Sequence, residues 1–210
     1  MHSDESTLPD DVDEQLLVAG YREDGSLDCF IADHLNDAGG RRRVLALRAA
    51  NRRGIVADAD WRRALSDGDV DVRREALTLI AAVPINDPTL FTLLLAALSD
   101  DDALVVDGAV FALGEHLYDP AVEGIIAVAT DHEDPRCRES AIAALGALGD
   151  DRARPAILAA LTDKPAVRRR AIVALANFEG PDIEAALERA SEDRDWQVRA
   201  AVDQLGRRDD

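Results

Sequence analysis

The chain has 210 residues, is 47% hydrophobic but only 4% aromatic, and carries a formal net charge of −18 from 42 acidic and 24 basic residues. Such a field repels polyanions, so nucleic acid and anionic membrane are disfavoured partners unless a basic face is segregated. The acidic, polar N-terminus holds no apolar stretch long enough for a signal peptide or a membrane span, and a cytoplasmic location is expected.

Residues 1–12 read as a disordered acidic tail and residues 13–26 as an N-terminal capping segment, with a short helix at Glu14–Ala19 and a turn at Arg22–Ser26. From 27 to 210 one pattern recurs six times. Aspartates close short helical runs at Asp37, Asp67, Asp100, Asp131, Asp163 and Asp193, with gaps of 30, 33, 31, 32 and 30 residues. Inside the helix after each stand Ala46, Ala76, Ala109, Ala141, Ala171 and Ala201, and one helical turn further Ala50, Ile80, Leu113, Leu145, Leu175 and Leu205. A period near 30 residues marks a solenoid, in which a helix pair buries its apolar face only by stacking on its neighbours. Pro88, Pro120, Pro155 and Pro181 open first helices, Pro135 and Pro165 open second helices, and Gly149 and Gly180 read as C-terminal caps. Cys29 and Cys137 fall on apolar stripes and read as two buried thiols.

The second helices resemble HEAT repeats of the short type found in phycobilisome-lyase-like proteins. The residues that carry the likeness run from Val72-Arg73 through Ala76 to Ile80, from Cys137-Arg138 through Ala141 to Leu145-Gly146, and from Val167-Arg168 through Ala171 to Leu175-Ala176. The resemblance implies an all-α, right-handed α–α superhelix of about six helix pairs, with the second helices lining a concave surface. It also implies a ladder in which turn aspartates and helix arginines join neighbouring pairs: Asp37/Arg43, Asp67/Arg73, Asp131/Arg138, Asp163/Arg168 and Asp193/Arg199. Val106 takes the arginine's place in the third pair, so a break in the ladder is expected there.

Relatives resembling deoxyhypusine hydroxylase hold irons with His-Glu pairs, but the matching positions here (Arg74-Glu75, Asp107-Gly108, Glu139-Ser140, Arg169-Arg170 and Arg199-Ala200) contain no histidine. No metal or cofactor is expected, since His116, His132, Glu133 and Cys137 do not form a ligand set by spacing. Asp67-Gly68-Asp69-Val70-Asp71 opens like a calcium loop, yet its twelfth position is Thr78, and a helix-capping turn fits better. HEAT-like DNA glycosylases give a minor nucleic-acid alternative. They need a basic channel, and the arginine clusters here point around their helices.

Residues one before, two after and six after each anchor alanine should face the concave surface. With their flanking positions, they make Glu75, Thr78, Phe111, Glu115, His116, Glu139, Arg170, Asn177, Asp203 and Arg207 the candidate binding residues. Phe111 reads first as core filler and second as a binding anchor. The expected function is a non-catalytic protein-interaction scaffold that grips a helix or extended peptide, with a basic partner segment favoured by the acidic field. The alternative is a tetrapyrrole-lyase-like or other small-molecule enzyme, which would need an accessible cysteine or histidine in a groove.

Overall fold

The computed structural model describes residues 11–206, so the expectations for residues 1–10 and for Arg207 lie outside the described residues. These residues form thirteen α-helices and no strand. The first, α1 (Val12–Ala19), opens two residues before the expected helix because Asp11 Oδ1 accepts from the backbone N–H groups of Asp13 and Glu14. Six helix pairs follow: α2 (Asp28–His34) with α3 (Gly40–Arg53), α4 (Asp58–Leu65) with α5 (Val70–Ile80), and α6 (Pro88–Ala97) with α7 (Ala103–Glu115). The last three are α8 (Val122–Asp131) with α9 (Pro135–Leu148), α10 (Arg154–Ala159) with α11 (Pro165–Leu175), and α12 (Pro181–Ala190) with α13 (Trp196–Gly206). The fold is an α-solenoid.

The chain divides within α6 into two compact units, Met1–Leu93 and Leu94–Asp210. In the first, α3 packs on α5, and α1, α2 and α4 cover them. Its core includes Leu16, Ile31, Ala46, Ala49 and Ala50. In the second, α7, α9, α11 and α13 pack side by side in that order, with α8, α10 and α12 as the outer layer. The repeat anchors are the core: Ala46, Ala76, Ala109, Ala141 and Ala171 are fully buried, as are Ala50, Ile80, Leu113 and Leu145 one turn below. Alanine at the anchor lets helices approach closely, and glycine takes this further. A Cβ on Gly146 would lie 2.6 Å from the Cβ and 2.8 Å from the Cα of Ala174, and one on Gly114 would lie 2.9 Å from the Cβ of Ala144.

The turns explain much of the acidity. Asp67 accepts from the N–H of Asp69, and Asp69 in turn caps α5 by accepting from Asp71 N–H. Asp100 and Asp102 repeat the relay before α7, and Asp193 and Asp195 before α13. Each cap stabilises its helix by roughly 0.5–2 kcal/mol. In the fourth pair the first member of the relay is His132, whose Nδ1 accepts from Asp134 N–H. The structural register therefore runs through His132 rather than Asp131, which ends α8.

A ladder is present, but its ion pairs are not the ones expected: Arg43, Arg138 and Arg168 pair with the aspartate of the next turn, not of their own. Arg43, Arg138 and Arg168 each spend Nη1 on a carbonyl of their own turn, at Asp37, His132 and Asp163. Each then grips the next pair's aspartate with Nε and Nη2: Arg43 to Asp67 at 2.9 and 2.7 Å, Arg138 to Asp163 at 2.6 and 2.7 Å, Arg168 to Asp193 at 2.9 and 2.8 Å. Val106, fully buried, occupies the arginine position opposite His132 in the register, so guanidinium and carboxylate are lost together.

Two readings of single residues need correction. Cys29 is exposed, because the short α2 turns it away from the core, while Cys137 is buried. Gly180 is the N-cap of α12 with φ +135°, four residues past the Ala176 that caps α11. Gly149 is the expected left-handed C-cap, and Gly54 performs the same role for α3.

Candidate interaction site

Second helices are held by their anchors, so the residues between anchors are left to face outward along α7, α9, α11 and α13. Between α7 and α9, extending to Arg170 on α11, lies a groove of about 480 Å³. Its floor is small: Gly114, Ala143, Ala144 and Ala147. Phe111 rises beside it 53% exposed, so it is not core filler. The reason is positional, since Val110 and Leu113 already fill the buried side of α7.

The walls carry Asp107, Glu115 and Glu139 against Arg136 and Arg170. Arg136 is neutralised locally by Asp134 at 2.7 Å, an ion pair that holds the Asp134 carboxyl down to about 2. Asp107 acts on Arg136 through its charge, and Glu115 is exposed to solvent.

Of the expected candidates, the groove gathers Phe111, Glu115, Glu139 and Arg170. His116 instead caps α7 and is half-buried. The side-chain amide of Asn177 donates to Gly146 O at 2.7 Å, an inter-helix bond that spends its polar group. Asp203 is exposed on α13 outside the groove. Glu75 and Thr78 stand on α5 in the first unit, where Glu75 pairs with Arg48 at 2.6 Å and the Thr78 hydroxyl donates to Arg74 O.

Sequence reasoning missed Asp107 and Arg136 as groove walls, and missed a second hollow of about 350 Å³ between α11 and α13 beside Trp196. Trp196 starts the last second helix, and one of only two tryptophans in so aromatic-poor a chain was the available signal.

Cys137 is unsuited to nucleophilic work. Its thiol donates to Ala103 O at 3.1 Å, and burial, with Asp107 and Asp134 nearby, pushes it up to about 11. Among the described residues, no three His, Cys, Asp or Glu side chains are grouped to hold a metal ion, and no helix is long and apolar enough to cross a membrane.

A family profile described as HEAT repeats matches residues 91–166 and 122–206, more than half of the chain. The chain belongs to the HEAT-repeat family. No curated protein matches its sequence. Among solved structures it is similar to YibA of Escherichia coli, with a TM-score of 0.66 and 20% identity over 89% of this chain and 71% of that one. It is also similar to a designed armadillo repeat protein in complex with the peptide (KR)4, with a TM-score of 0.57 and 14% identity over 91% and 96% of the two chains. A third is a computationally designed armadillo repeat protein for modular peptide recognition, at a TM-score of 0.60 and 15% identity over 84% and 97%. These likenesses place the fold among right-handed α–α superhelices.

Proposed function

We propose that the chain is a protein-interaction scaffold whose second-helix face binds an extended segment of another protein. The observation that carries this reading is Phe111, a half-exposed aromatic standing over a floor of glycine and alanine. Such a side chain, ringed by charged groups, has the form of a binding anchor. Asp107 and Glu115 favour lysine or arginine in the segment that crosses α7, and the field of a −18 chain steers such a segment inward. The designed neighbours, one holding (KR)4 and one built for peptide recognition, support a peptide as the ligand type.

A labelled (Lys-Leu)4 peptide tests the reading by fluorescence anisotropy. Phe111→Ala and Glu115→Gln should each weaken binding about five- to thirtyfold, in line with the ~1–2 kcal/mol cost of truncating an interface anchor. The wild-type affinity should fall between low and high salt. Equal affinity for wild type and Phe111→Ala would remove the groove as the docking face. The lyase alternative gains nothing from Cys137, which is buried and protonated.

A further inference from the structure

Arg168, Arg169 and Arg170 follow one another on α11, and the structure divides their work. Arg168 is buried and fully engaged with Asp193. Arg169 and Arg170 face outward with side chains 44% and 40% exposed, and both reach for one carboxylate, Glu139, at 3.7 and 3.5 Å. Those distances are well beyond the ~2.7–2.9 Å of a tight charge-assisted hydrogen bond. One negative charge thus answers two positive ones, both at long range, and Arg170 Nε is buried with no hydrogen-bond partner.

These two guanidiniums line the α11–α13 hollow together with Val173 and Trp196, which are 45% and 66% exposed. The remaining polar lining is Gln197 and Gln204, and no carboxylate among the described residues lines the space. A hollow that sets two guanidiniums beside an exposed valine and tryptophan, on a chain of net charge −18, needs a reason.

We propose that the α11–α13 hollow is a second docking subsite, which takes a peptide segment bearing a carboxylate side chain next to an apolar one. Trp196 and Val173 cover the apolar side chain, while Arg169 and Arg170 take the carboxylate in the planar geometry that guanidinium offers. The proposal rests on the second-helix face being the docking face; Arg170 is shared with the wall of the Phe111 groove, while Arg169, Val173 and Trp196 line the hollow alone. Together the two subsites select a segment of opposite charge at its two ends, basic over α7 and acidic over α13. Such a pattern sets the direction in which the partner lies.

Trp196 makes the test direct. The chain has two tryptophans, and the other, Trp61, is buried in the first unit, so ligand at the hollow changes only the exposed fluorophore. Tryptophan emission of the full chain is followed during titration with (Glu-Leu)4, (Gln-Leu)4 and (Lys-Leu)4. (Glu-Leu)4 should give a saturable blue shift, with at least tenfold weaker binding for (Gln-Leu)4 and for the variant Arg169→Gln. Phe111→Ala should leave this shift in place, so loss of the groove reading and loss of this one are separable. Trp196→Phe should abolish the shift while anisotropy still reports (Glu-Leu)4 binding. A shift with (Lys-Leu)4 as strong as with (Glu-Leu)4, no shift with any peptide, or full competition by millimolar inorganic phosphate would each overturn the proposal, the last by showing that an anion alone fills the site.

Discussion

The junction between the third and fourth pairs and the junction between the fifth and sixth solve one packing problem in two ways. At the later junction Arg168 ties its own turn to the next through Asp163 O and both oxygens of Asp193. At the earlier junction the corresponding positions hold Val106 and His132, and the charged rung is absent. What joins α7 to α9 instead is apolar burial at Val105, Val106 and Ala109, the Cys137 thiol on Ala103 O, and the close approach of Gly114 to Ala144. A buried ion pair is dispensable when both partners go together, because neither is then left desolvated and unpaired. The Phe111 groove opens on the junction built without a rung.

Removing one partner of the rung should have the largest effect. Arg168→Ala strands Asp193 and the Asp163 carbonyl, and should destabilise the second unit by about 3–5 kcal/mol in urea unfolding. Val106→Ala deletes two methyl groups from the rungless junction and should cost only about 1–2 kcal/mol. Acid sharpens the contrast. Hydrogen bonds from Arg138 and Arg168 hold Asp163 and Asp193 below their ordinary value of 3.8. Lowered carboxyls contribute stability that is fully present above that value and is lost as pH falls below it through the folded values. The gap between wild type and Arg168→Ala should therefore shrink as pH drops below about 4. A gap of equal size at pH 7 and pH 3 would mean that the rung stabilises by packing rather than by charge.

Glycine at the helix contact offers a second comparison. Gly146→Ala would drive a Cβ to 2.8 Å from the Cα of Ala174, a backbone atom that cannot swing aside. It should cost about 1–3 kcal/mol and lengthen the Asn177 bond to Gly146 O. Gly114→Ala meets the Cα of Ala144 only at 3.3 Å and should cost less, since the helix-propensity gain of about 1 kcal/mol offsets more of the strain. Equal losses would show that the two contacts do not differ in tightness.

The anchor alanines made the fold legible, because each must be small and buried for helices to stack, and periodicity records that demand directly. The same logic located the rungless junction at Val106. It counted Asp131 as the repeat aspartate of the fourth pair, and only the hydrogen bond from Asp134 N–H shows that the adjacent His132 holds that place in the turn. The face between the anchors was harder to read. Position alone put Phe111, Glu115 and Arg170 together correctly, but could not show that Asn177 spends its amide on Gly146 O or that Glu75 is taken by Arg48. It did separate Arg168, read into the ladder, from Arg170, read onto the outer face, but it could not show Arg169 and Arg170 sharing one carboxylate, Glu139.

A coupling between two positions of the rungless junction tests the comparison most closely. Val106→Arg and His132→Asp each introduce half a rung, and together they introduce a whole one. Val106→Arg alone places a guanidinium in a fully buried position facing an imidazole, and should be strongly destabilising. His132→Asp alone keeps an acceptor for Asp134 N–H and should change little. If the backbone at this junction matches the others, the double variant recovers part of the loss, with a coupling of about 0.5–3 kcal/mol across the four urea midpoints. Zero coupling would locate the difference in the backbone, with Val106 and His132 only fitting a junction already spaced too far for a rung. The same four proteins, titrated with (Lys-Leu)4, would then show whether the groove depends on that spacing. Phe111 stands five residues after Val106 on α7, so a rung that pulls α7 toward the fourth turn should narrow the floor beneath it and weaken binding.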